Sequence, residues 1–144
     1  MNTNAQTAWT RAMDTCMEKI CQATGCTEGK EAFRYELPHS VNVFALHLGG
    51  GEETGTLFCG LSQLEVGGRI EGRFTTPKDA EEFVMLCLEA LPVNNEGNVL
   101  KFMARTIPEI TPEVWTSPLD GNTNRVFMAR FNVSCLFDAI AAPA

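Results

Sequence analysis

Two periodicities divide this chain. From residue 4 to 24, Trp9, Met13, Cys16, Met17 and Ile20 recur at i, i+4, i+7, i+8 and i+11, the spacing of one face of an amphipathic helix. Thr3 with Gln6 forms a candidate capping box, and Gly25 stands where a left-handed residue ends a helix. The same period returns in "TTPKDAEEFVMLCLEALP", 75 to 92, where Ala80, Phe83, Val84, Cys87, Leu88 and Leu91 form the apolar stripe. There Thr76 is the predicted N-cap, Pro77 the first helical residue and Asp79 a first-turn acid, and Pro92 ends the helix over 76–91.

Elsewhere the period is two. Phe33, Tyr35 and Leu37 alternate with Arg34 and Glu36 up to Pro38, and "VNVFALHL", 41–48, reads as a second strand. A third covers 56–66, and Gly67-Gly68 predicts a tight hairpin into a fourth at 69–74. Gly60 and Gly72 mark bulges or close backbone approach. Beyond the turn "NNEG", 99–107 reads as extended, whereas 108–124, with three prolines and Trp115, reads as a long irregular segment exposing Trp115. In the last strand, 125–137, Phe127, Ala129, Phe131, Val133, Cys135 and Phe137 share one face, and Arg130, Asn132 and Ser134 the other. These elements predict one α+β domain over residues 1–144: an antiparallel or mixed β-sheet with two amphipathic helices packed on it.

Composition narrows the function. At 144 residues the chain is long enough to bury roughly 70% of its unfolded surface, so folding requires no disulfide or metal. No run approaches 18 apolar residues and no positive segment leads into an apolar one at Met1, which argues against membrane-spanning and secretory readings. The six cysteines are then expected as reduced thiols. A net charge of -7 repels nucleic-acid phosphates and anionic lipid. It suits a surface that nucleic acid slides past without sticking.

The candidate chemistry is sparse. "HLGGGEETGTLF", 47–58, has the glycine spacing of a phosphate-binding loop at Gly50 and Gly55, but Thr56 and Leu57 stand where Lys and Ser or Thr are required, and Glu52 and Glu53 lie inside it. An acidic, glycine-loosened hairpin connection fits better. Cys16, Cys21 and Cys26 are five residues apart, so successive thiols rotate by roughly 140° on a helix and could not bind one ion without unwinding it. A Cys59–His47 dyad across a hairpin would make a thiol enzyme or small cytoplasmic binding module, although Cys59 sits in an apolar run. His39, after Pro38, is expected to hydrogen-bond within a turn. Glu81, Glu82, Glu89, Glu109 and Glu113 read as solvated carboxylates rather than acid–base pairs.

The order of elements nevertheless resembles a known family. An N-terminal helix, strands around a glycine-rich loop, "GRIEGRFTTP" running into "KDAEEFVMLCLEAL", and a long final strand "RVFMARFNVSCLFD" are similar to the tail-terminator proteins of long-tailed bacteriophages. Neck and tail-completion proteins share this architecture. The resemblance implies a non-enzymatic structural protein of the virion tail, assembled in the bacterial host cytoplasm. Such proteins form a homohexameric ring that caps the tail tube, ends its polymerisation and offers the surface to which the head is joined. The implied partners are further copies of the chain, a tail-tube protein and a head-completion protein, with no sequence-specific nucleic acid, membrane, metal or cofactor. Residues 67–92 would be scaffold, and 49–55 a segment that orders on assembly. The candidate subunit-contact or lumen residues are Glu52, Glu53, Trp115, Asp120, Arg125, Arg130 and Asn132.

Overall fold

The first apolar stripe folds as helix α1, Thr3–Thr24. Its Ala8, Ala12, Met13, Cys16, Met17 and Ile20 are buried, and the Gly25 N–H donates to the Cys21 carbonyl at a φ of 75°. The computed structural model describes residues 3–49 and 63–138, with side chains from Ala8 onward. The side chains of the Thr3–Gln6 capping box are not described, and Gly50, Glu52, Glu53, Gly55, Cys59, Gly60 and residues 56–62 of the expected 56–66 strand lie outside the described residues.

The second stripe is helix α2, Pro77–Ala90. Thr76 Oγ1 accepts from the Asp79 N–H (3.1 Å), satisfying an amide that no helical carbonyl can reach. Ala80, Phe83, Val84 and Cys87 turn inward, with the Phe83 ring 5.0 Å from both Phe44 and Phe74.

Among the described residues seven strands form one sheet: β1 (Ala32–Arg34), β2 (Val43–Leu48), β3 (Gln63–Phe74), β4 (Val93–Glu96), β5 (Val99–Ala104), β6 (Glu109–Thr116) and β7 (Thr123–Asp138). Their order is β1-β2-β3-β7-β5-β4, with β6 also paired to β7. Of the described strands β1 and β2 pair in parallel and the others antiparallel, so the sheet is mixed. Strand β7 is its spine: β3 runs along one side of it, while β5 and β6 lie end to end on the other. Both helices cover the face carrying Ala129, Phe131, Val133, Cys135 and Phe137, and this layer is the core. A single α+β domain results.

The structure corrects several sequence expectations. The turn expected at "NNEG" is strand β4 up to Glu96, with the turn at residues 97–98. Gly67-Gly68 is no turn: β3 runs straight through it, pairing Gly68 with Leu48 and Val133. A tight two-residue hairpin needs positive φ, which neither glycine adopts. Instead a Cβ on Gly68 would lie 2.1 Å from the His47 carbonyl oxygen, so the glycine serves close strand approach. The strand expected at 33–37 stops after Arg34, because Tyr35 takes a φ of 72°. The irregular segment expected at 108–124 is largely β6, whose Pro112 is accommodated because β6 is an edge strand.

Candidate functional site

Register exposes an arm. Pairing between β3 and β7 ends at Phe74 and Phe127, whereas pairing between β6 and β7 continues to Thr116 and Thr123. Residues 123–126 and their β6 partners therefore project past β3 as a two-stranded hairpin. Residues 117–122 close its tip: the Ser117 N–H donates to the Asn122 carbonyl (2.8 Å), the Gly121 N–H to the Ser117 carbonyl (2.9 Å), and the Asn122 N–H to Asp120 Oδ1 (2.9 Å). Asp120 is thus a turn-forming residue. The Thr116 and Thr123 hydroxyls, 3.2 Å apart, add a cross-strand pair at the tip.

The two faces of the arm differ. Glu113, Trp115, Val126 and Met128 lie on the face away from the helices, as the strand register requires. Here Trp115 is half-buried, not exposed as the sequence suggested. The His39 ring lies 5.0 Å from it, and the Arg73 guanidinium sits 5.7 Å over it. His39 Nε2 donates to the Thr116 carbonyl (3.1 Å), so this histidine bonds to the arm rather than within its own turn. Arg73 also donates to the carbonyls of Pro38 and Ser40 (2.9 Å each). Burial lowers the Arg73 pKa, and Glu113 and Glu71 partly offset that shift. Loop 35–42 is thereby clasped to the arm, and Val126 and Met128 are buried on the same face.

The other face is bare. Val114 stands opposite Arg125, and both are exposed. The three most exposed large apolar side chains among the described residues all belong to the arm or its base: Leu119 at 95%, Ile107 at 90% and Val114 at 75%. Sequence reading passed over them because three prolines hid the alternation through Ile110, Pro112 and Val114. Further along β7, Arg130 pairs with Glu71 (3.7 Å) and Glu113 (3.4 Å). Asn132 is exposed, and its backbone binds Thr106 Oγ1 and the Arg105 N–H. Arg125, Trp115 and Asp120 are gathered on the arm, while Arg130 and Asn132 lie behind it on the open sheet face.

The buried thiols of Cys16 and Cys87 are poorly disposed to nucleophilic chemistry. Cys16 and Cys135, both buried, place their Sγ atoms 3.9 Å apart. That hydrogen bond, then burial, raises the Cys16 pKa, and burial likewise raises Cys87. His47 Nδ1 lies 3.2 Å from the Tyr35 carbonyl oxygen, and the Tyr35 ring meets the imidazole edge-on at 5.6 Å. Among the described residues no group of three or more His, Cys, Asp or Glu side chains is placed to hold a metal ion. No described helix is long and apolar enough to cross a membrane. An open cleft of about 430 Å³ between α1 and the β4–β5 turn, lined by Arg11, Asp14, Glu18, Asn98 and Asp138 among others, is a concavity that the sequence did not announce. Compared with known proteins, the chain matches no family model, and no characterised protein is significantly similar to it.

Proposed function

We propose that this protein is a structural assembly component of a phage tail, which joins copies of itself into a ring that caps the tail tube, ends its polymerisation and presents the head-joining surface. The observation that carries this reading is the arm. Its inner face is fixed to its own chain by Trp115, His39 and Arg73, while Val114 on its other face and Leu119 at its tip stand in solvent. Exposed apolar side chains concentrated on one projecting element mark a protein contact. The order of elements, from the α1 stripe to the long final strand, supports the tail-terminator assignment, and an acidic chain of charge -7 suits a lumen through which DNA passes. Sedimentation over a concentration series, alone and with tail-tube protein, tests it. A closed oligomer of fixed size is expected, and a strict monomer in both conditions would refute it.

A further inference from the structure

Helix α2 carries the natural counterpart of the arm. Its outward positions Glu81, Glu82, Met85, Leu88 and Glu89 are all exposed and fall at i, i+1, i+4, i+7 and i+8, one continuous face. A solvated helix face is ordinarily polar throughout. Here Met85 is 63% and Leu88, expected in the buried stripe, is 41% exposed, forming an apolar centre ringed by three carboxylates. Lys78, at the start of the helix, is its only cation. On the arm, exposed Val114 has the cation Arg125 directly across from it, and exposed Leu119 stands at the tip beside Asp120. Among the described residues Arg125 makes no ion pair within its own chain.

We infer that the arm of one protomer seats on the outer face of α2 of the next copy, with Val114 and Leu119 against Met85 and Leu88 and Arg125 among Glu81, Glu82 and Glu89. The methionine gives that face a side chain able to adapt to its partner. The two patches lie on different elements, so the contact is heterologous. Each protomer offers one arm and one helix, and the chain of contacts ends only when a ring closes. This inference rests on the ring-assembly reading above and specifies its interface. Arg125 is attracted to the three carboxylates of the helix face, so the contact weakens as salt screens that attraction.

Two double variants at exposed positions test the pairing: Leu119→Ser with Arg125→Glu on the arm, and Met85→Ser with Glu82→Lys on the helix. Each is examined alone and in equimolar mixture by sedimentation velocity, beside the wild type, with melting curves to confirm that the fold is intact. The expected result is an assembled wild type, two monomeric variants, and a mixture that forms a one-to-one heterodimer and nothing larger, since one intact arm meets one intact helix. Either variant assembling like the wild type, as it would if the arm served a different protein, overturns the pairing while leaving the ring reading standing. So does a mixture that stays monomeric. A monomeric wild type overturns the ring reading, and the pairing falls with it.

Discussion

The two ends of β7 are written in the same alternating code and meet opposite fates. In its C-terminal half Phe131, Val133, Cys135 and Phe137 sink beneath the two helices. At its N-terminal end Arg125 and its partner Val114 occupy the same face of the sheet and stand in solvent. Alternation sets which side chains share a face; burial depends on whether another element covers that face. The helices α1 and α2 cover one stretch, and beyond it the strand continues as an arm. The covered region maintains the fold, whereas the uncovered one is free to carry assembly.

Breaking the covered end should have the largest effect. Phe137 is fully buried and lies 6.5 Å, ring to ring, from Trp9, so Phe137→Ala should cost about 3–5 kcal/mol, measured as a lower urea midpoint. Alkaline pH probes the same region. The buried thiols of Cys16 and Cys87 have raised pKa values, so the folded chain keeps protons that the unfolded chain releases. This contribution is fully present below the unfolded thiol pKa of about 8.5 and is lost as pH rises above it, by about 1.4 kcal/mol per pH unit for each thiol. Urea midpoints between neutral and strongly alkaline pH should fall, and less steeply in Cys87→Ala.

Smaller effects are expected toward the arm. Trp115→Ala removes the stacking with His39 and the contact with Arg73, together worth about 1–2.5 kcal/mol. Amide exchange should quicken across loop 35–42 while the helices keep their protection. Arg130→Ala breaks two ion pairs on a half-exposed side chain; the loss should stay below about 1 kcal/mol and shrink as salt is added. A large destabilisation from this change would mean that the open sheet face contributes more to the fold than its exposure indicates.

What the sequence revealed follows the same division. The α1 stripe, the Thr76 cap and the inner face of β7 were legible because local periodicity and capping chemistry agree with the tertiary structure. Gly67-Gly68 was misread because two adjacent glycines serve equally for a turn or for close strand packing, and only the approach of β2 decides between them. The arm was misread as irregular because Pro112 signals a break, yet a proline on an edge strand leaves β6 paired. The clasp of His39, Arg73 and Trp115 joins residues far apart in the chain, so no local pattern announces it. The same holds for the pairing of Cys16 with Cys135.

The most direct test of the central claim, that the arm serves assembly rather than the fold, is sedimentation equilibrium combined with thermal melting of the double variant Val114→Ser/Leu119→Ser. Both side chains are exposed, so the variant should lie within about 0.5 kcal/mol of the wild-type monomer in stability and sediment as a monomer at concentrations where the wild type is assembled. A variant that still assembles like the wild type, or one that unfolds, would contradict the account.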